Sequence, residues 1–160
     1  MAIQVGDKIP DVSLTRLGET GMEAVSTGSL FAGKTVAMFA VPGAFTPTCS
    51  DHHLPGFAQN AAALKAKGVD EIVCVSVNDP FVMKAWGEQL GATDYMTMLP
   101  DGNGAFTKAL DLGMDASGAG MGFRSQRFAL VAKDGVATHI AVEPGRGLTV
   151  SSAESVLAAL

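Results

Sequence analysis

The segment Thr35-Val36-Ala37-Met38-Phe39-Ala40-Val41 is apolar after its first residue and is bounded by Gly33-Lys34 before it and Pro42-Gly43 after it. It is far too short to span a bilayer, which takes roughly 20 apolar residues. It also lacks the alternation of a strand with one wet face. The segment therefore reads as a strand buried on both faces, the central strand of a sheet with helices on either side. Such a strand expects parallel neighbours, joined to it through helical crossovers.

The rest of the chain supplies those pieces. From Cys49 to Lys67, Leu54, Phe57, Ala61 and Leu64 recur at helical spacing, and Gly68 stands where a helix would stop. Pro55-Gly56 predicts a bend or restart inside it. Glu71 to Asn78 reads as a second strand, and Asp79-Pro80 opens a helix over Phe81 to Leu90. Tyr95 to Leu99 is a third short strand, followed by the turn Pro100-Asp101-Gly102-Asn103-Gly104 and a helix through Leu110. Arg127 to Lys133 and Val136 to Val142 flank Asp134-Gly135, a strong hairpin signal, so the last two strands are expected to be antiparallel. Ser151-x-x-Glu154 offers a capping box ahead of Val156, Leu157 and Leu160 on a closing helix. The order βαβα, short helix, ββα predicts one α/β domain over residues 1–160, with a mixed central β-sheet flanked by helices on both faces.

With 48% hydrophobic and 17% charged residues, the chain can bury enough apolar surface to offset its ordering entropy, which argues against disorder. The formal charge of −5 and the absence of a Lys/Arg run exclude nucleic acid as an expected partner. The first residues, Met1 to Lys8, show neither a signal-peptide nor a transit-peptide pattern, and no membrane segment is expected. Two cysteines, Cys49 and Cys74, are too few for a disulfide framework and too far apart for a C-x-x-C pair. A reducing compartment, the cytoplasm, fits that usage, and no metal or organic cofactor is implied.

Cys49 ends the segment Pro42-Gly43-Ala44-Phe45-Thr46-Pro47-Thr48-Cys49, which leads from the central strand into the first long helix. A first-turn position gives a thiol free amides and the positive end of the helix dipole, and such settings lower thiol pKa values from about 8.5 to roughly 3.5–7.5. An arbitrary free cysteine is more often inert core. Here hydroxyls and prolines flank it, which argues against a core position. Thr46 is placed either to orient a substrate oxygen, to bond the sulfur, or simply to serve as a cap or loop hydroxyl.

The run Pro42-x-x-x-Thr46-x-x-Cys49 resembles the peroxiredoxin active-site motif. The wider match through His53-Leu54-Pro55-Gly56-Phe57, Val77-Asn78-Asp79-Pro80-Phe81, Pro100-Asp101-Gly102 and Arg124-Ser125-Gln126-Arg127-Phe128 is similar to the plant type II and peroxiredoxin-five subfamily. The resemblance implies a thioredoxin-like fold and a thiol peroxidase of the glutaredoxin-dependent type. It makes Cys49 the peroxidatic cysteine, oxidised by hydrogen peroxide or an organic hydroperoxide to a sulfenic acid. It has Thr46 bonding the peroxide, Pro42 shielding the thiolate and Arg127 approaching both sulfur and substrate oxygen. On its residues alone Arg127 would be a surface ion pair, and Arg124 is the neighbouring choice. An arginine is suited to the task, being always charged and offering several donors in a rigid fork.

For regeneration, animal relatives of the peroxiredoxin-five kind carry a resolving cysteine where this chain has Val150. Cys74 matches the second cysteine of plant type II proteins, but it falls within a strand and reads as core or, less favourably, as a redox partner. An external thiol is therefore expected: glutathione with glutaredoxin, or thioredoxin. His52 and His53 diverge by about 100° on a helix and have no partner at ligand spacing, so they read as structural or solvent-facing. Asp51 reads as a capping-region charge and Trp86 as packing. Phe45 is expected to be exposed, and by the resemblance its region contributes to a homodimer. Two other classes stay open: a thioredoxin-type oxidoreductase, which would need a second cysteine at the Thr46 position, and a non-catalytic redox sensor or holdase.

Overall fold

The computed structural model describes residues 1–160. An antiparallel ribbon, β1 (Ser13–Gly18) with β2 (Gly21–Ser26), precedes α1 (Thr27–Phe31) and the central strand β3 (Thr35–Val41). A π turn over Cys49–His53 leads into α2 (Leu54–Gln59), then α3 (Ala61–Ala66), β4 (Glu71–Ser76), α4 (Pro80–Gln89), β5 (Thr97–Pro100) and α5 (Ala105–Leu110). A second small ribbon, β6 (Gly113–Asp115) with β7 (Phe123–Ser125), comes before β8 (Phe128–Lys133), β9 (Val136–Val142) and α6 (Ala153–Ala159).

The main sheet has the order β5-β4-β3-β8-β9, parallel from β3 through β5 and antiparallel from β3 through β9. The chain thus has the expected α/β, thioredoxin-like architecture, a mixed sheet with helices on both faces. β3 is central, and its alternate side chains feed two cores. Ala37, Phe39 and Val41 join Leu54, Phe57, Leu64, Trp86 and Val156 on the face of α2, α3, α4 and α6. Val36, Met38 and Ala40 join Phe31, Phe106, Leu110 and Phe128 on the opposite face, under α1 and α5. That two-sided burial explains why β3 carries no polar alternation.

Local chemistry sets most boundaries. Asp79 caps α4 by accepting from the Val82 amide at 2.9 Å, and Pro80 takes the first helical position, where its missing N–H costs nothing. Asp134 and Gly135 turn the β8–β9 hairpin with φ of 48° and 76°, as a two-residue loop requires.

The first helical stretch departs from expectation. Its break lies at Asn60, whose side-chain amide donates to the Gly56 carbonyl at 2.8 Å, and not at Pro55-Gly56. Pro55 is absorbed instead by the wider turn before it: in the π turn the Leu54 amide donates to the Cys49 carbonyl, five residues back. A proline ring crowds the carbonyl four residues before it, and a wider turn relieves that clash. The third strand begins at Thr97 because Tyr95 and Met96 close a turn onto the Ala92 carbonyl. The cap of α6 is Ser152, whose hydroxyl accepts from the Ser155 amide, and not Ser151. The hydroxyl of Ser151 donates to Glu143 at 2.6 Å and is not free to cap. No helix is long and apolar enough to cross a membrane.

Candidate active site

Val41 ends β3 at the carboxyl edge of the sheet, and the loop that follows is tied to the next crossover. The Ala44 amide donates to Asn78 Oδ1 at 2.9 Å. The Ser76 hydroxyl lies 2.6 Å from Asn78 Oδ1 and 3.1 Å from the Val41 carbonyl oxygen, and donates to one of them. Gly43 packs closely: a Cβ there would stand 2.9 Å from the flexible end of Met121 and 3.2 Å from Thr46 Cγ2, so both side chains would have to give way. Phe45 adopts a φ of 65°, rare for an aromatic residue, and the residue is 47% exposed. Pro42 and Thr46 are half-buried. The Thr46 hydroxyl donates to the Gly43 carbonyl at 2.6 Å, so its proton is committed to the loop while its lone pairs remain able to accept.

Cys49 begins the π turn, as a first-turn position, but it is not outside the core as its flanking hydroxyls and prolines suggested. It has no exposed surface and belongs to the same apolar cluster as Phe39, Leu54 and Phe57. The sulfur is not left without a polar partner there. Arg127, immediately before β8 and 6% exposed, donates from Nη2 to Cys49 Sγ at 3.1 Å. The local sequence pattern missed this burial because Arg127, 78 residues away, takes the place of water at the sulfur.

Arg127, and not Arg124, is thus the arginine at the thiol. Arg124 donates from Nε to the Met121 carbonyl at 2.9 Å and from Nη1 to the Val77 carbonyl at 3.0 Å, bracing the loop from outside. Arg127 Nη1 donates to His53 Nδ1 at 2.8 Å, and its Nε–H is buried without a partner.

His53 is the residue the sequence undervalued. It is 1% exposed and packs at a tilt against the rings of Phe39 and Phe57. Because Nδ1 accepts from Arg127, the ring is the Nε2–H tautomer, and Nε2 donates to the Ser151 carbonyl at 2.8 Å. Burial lowers its pKa to about 4; the bond to the Ser151 carbonyl opposes the shift and the charge of Arg127 adds to it. His52 is exposed. Glu143 belongs to no motif in the sequence. It is 5% exposed and accepts from the amides of Thr149, Val150 and Ser151 and from two hydroxyls. Burial alone would raise its carboxyl, but the bonds from Ser151, Thr149 and Val150 outweigh that and hold it down to about 2. No local pattern marks His53, since its partners Ser151 and Arg127 lie 98 and 74 residues away, and Glu143 binds a turn six to eight residues on that has no regular spacing to reveal it.

Cys74 sits in β4 between β3 and β5, fully buried in the cluster that holds Cys49. Burial pushes its thiol well up, negative charge at Cys49 adds to the shift, and Arg127 only partly opposes it. Trp86 is core, as expected, and also donates to the Ser50 hydroxyl at 3.0 Å. No three His, Cys, Asp or Glu side chains stand together in a way that could hold a metal ion.

A buried thiol beside an arginine, at the start of a helix beyond the central strand of a thioredoxin-like sheet, defines a thiol-based oxidoreductase site, and comparison with known proteins narrows the class. The Redoxin family model matches residues 4–157. The chain is 51% identical over 159 residues to peroxiredoxin-2C of Oryza sativa subsp. japonica and 50% identical over 159 residues to peroxiredoxin-2B of Arabidopsis thaliana; in each case 99% of this chain and 98% of the relative are covered. The crystal structure of reduced Prx3 from Vibrio vulnificus in complex with hydrogen peroxide superposes with a TM-score of 0.94 at 53% identity, covering 98% of both chains. The chain belongs to the peroxiredoxins, in the company of the plant type II members, and it is a thiol peroxidase.

Proposed function

We propose that Cys49 is the peroxidatic cysteine, that Arg127, Thr46 and Pro42 complete its site, and that the substrates are hydrogen peroxide and organic hydroperoxides. The observation that carries this reading is the hydrogen bond from Arg127 Nη2 to the buried Cys49 sulfur, beside an Nε–H with no partner. The Cys49 thiolate attacks the nearer peroxide oxygen in line with the O–O bond. A sulfur–oxygen bond forms, the O–O bond breaks, and the leaving oxygen takes up a proton as water or an alcohol. Sulfur is oxidised to the sulfenic acid and the peroxide is reduced.

Each neighbour has a physical part. Arg127 has one arm on sulfur and an unused N–H for the oxygen that becomes negative, so charge is met on both sides of the breaking bond. Thr46 has given its proton to Gly43, so its oxygen accepts from the peroxide O–H and fixes the end that reacts. Pro42, with no N–H to offer, keeps that side of the loop free of a competing donor. The Vibrio vulnificus neighbour, crystallised in complex with hydrogen peroxide, supports a small peroxide as a substrate.

The reductant is an external thiol. Cys74 is bonded into the sheet on both sides, and Val150 stands where a resolving cysteine would be needed. Glutathione attacks the sulfenic sulfur, water leaves, and glutaredoxin or a second glutathione reduces the mixed disulfide; thioredoxin is the competing donor. The exposed Phe45 ring supports a homodimer contact through this loop, and the paired absence of disulfides and of a C-x-x-C motif supports the cytoplasm as the site of action. The decisive experiment is a steady-state peroxidase assay with glutathione plus glutaredoxin against thioredoxin plus its reductase. The first couple is expected to sustain the faster turnover, and activity that survives Cys49→Ser would end the assignment.

A further inference from the structure

Glu143 follows β9 and reaches Arg127 by two routes. Its own amide donates to the Arg127 carbonyl at 2.9 Å. Its carboxylate gathers the 149–151 turn, accepting from the Val150 amide at 2.9 Å, the Ser151 amide at 2.8 Å and the Ser151 hydroxyl at 2.6 Å. The carbonyl of that same Ser151 then receives His53 Nε2–H at 2.8 Å, and His53 Nδ1 receives Arg127 Nη1 at 2.8 Å. The remaining arm of Arg127 lies on the Cys49 sulfur at 3.1 Å. The links close a loop: one residue fixes the arginine's main chain and, through a turn and an imidazole, the plane of its guanidinium.

We propose that Glu143 is a positioning residue for the peroxidase reaction, which aims the Arg127 guanidinium at the Cys49 sulfur through the Ser151 carbonyl and His53. The physical need is specific. A buried carboxylate surrounded by five donors is far more than a turn of this size requires for closure. The turn it builds supplies the only polar partner of His53 other than Arg127. An imidazole without that carbonyl could present an N–H to Arg127 in place of a lone pair, and the guanidinium would swing away.

The inference rests on the catalytic reading of Cys49 and Arg127, and its test separates the two. The second-order rate constant for Cys49 oxidation by hydrogen peroxide is followed through Trp86 fluorescence in Glu143→Gln, His53→Leu and the double variant. Glu143→Gln keeps the main-chain bond to Arg127 but turns one acceptor oxygen into a donor facing other donors. In the wild-type background the rate constant is expected to fall about tenfold, and in the His53→Leu background less than about twofold, because the path is already cut. Equal falls in both backgrounds, or no fall in the first, overturn the proposal. Should Glu143→Gln fail to fold, Ser151→Ala removes one donor to the same carboxylate and is judged by the same two outcomes. Arg127→Ala is run alongside. An unchanged rate there defeats the catalytic reading itself, whereas its loss together with a silent Glu143→Gln defeats only the positioning role.

Discussion

Cys49 and Cys74 are equally hidden. Both have no exposed surface, both belong to one apolar cluster, and neither is in a disulfide. They differ in what else reaches the sulfur. Cys49 begins a turn at the sheet's carboxyl edge, and a guanidinium is 3.1 Å from it. Cys74 is held between two strands, where burial pushes its thiol well up. Burial by itself therefore says little about a cysteine's chemistry. The decisive difference is whether a charge has been buried with it.

The sharpest break of this comparison exchanges each sulfur for oxygen. Cys49→Ser is expected to abolish peroxide turnover, while Cys74→Ser keeps the rate of Cys49 oxidation; stopped-flow oxidation of the two variants checks this. Loss of activity in both, beyond what the stability change of Cys74→Ser accounts for, would mean that the strand cysteine takes part after all. The next effect concerns the arginine. Arg127→Ala should lower the second-order rate constant for hydrogen peroxide by about 10²–10³, the usual cost of losing a donor to developing charge. Arg127→Lys should recover little of it, because an ammonium offers a point charge and cannot hold sulfur and His53 in one plane.

The comparison also marks where the sequence could be read and where it could not. β3, the Asp79-Pro80 helix start and the Asp134-Gly135 hairpin follow from local chemistry, and so were visible. The β1–β2 ribbon was not: most of its residues are exposed or half-exposed, with Leu14 alone buried, so no alternation marks it. At the site, the roles proposed for Cys49, Thr46, Pro42 and Arg127 come from resemblance to a motif. The burial of Cys49 is not legible locally, because the polar partner of its sulfur is Arg127 and not the flanking hydroxyls. The capping role read onto Ser151 fails for a different reason: a capping box looks only at residues that follow the serine, and a carboxylate eight residues earlier takes its hydroxyl. Contacts that join distant segments leave no period in the chain.

His53 makes the same contrast testable through pH. Its folded pKa, about 4, lies below the ordinary histidine value of 6.5. Between those values the unfolded chain holds more protons than the folded one, so stability is complete above about pH 6.5 and is lost as pH falls toward 4. The full effect is about 3 kcal/mol. Glu143 acts lower, as pH falls from 4.5 toward its folded value of about 2. Denaturant unfolding at pH 7 and pH 5 should therefore show a loss in the wild type that His53→Leu lacks. An equal loss in the variant would assign the acid sensitivity elsewhere.

The smallest expected effect belongs to Cys74, and it distinguishes packing from chemistry. Removing a buried sulfur leaves a small void, and a cost of about 1–2 kcal/mol is the ordinary consequence in a core that relaxes only in part. Cys74→Ala should lower stability by about that amount. Cys74→Ser should cost at least as much, since a hydroxyl placed among Phe39, Ile72 and Trp86 needs a partner that an apolar cluster does not provide. Neither change alters the charge met by the Cys49 sulfur, because Arg127 is held by His53 and the Cys49 thiol and not by β4. Stability should thus fall in both variants while the oxidation rate of Cys49 stays where it was. A rate that tracked the stability loss would show that the site depends on the tightness of this core, and the distinction between the two cysteines would then be one of degree.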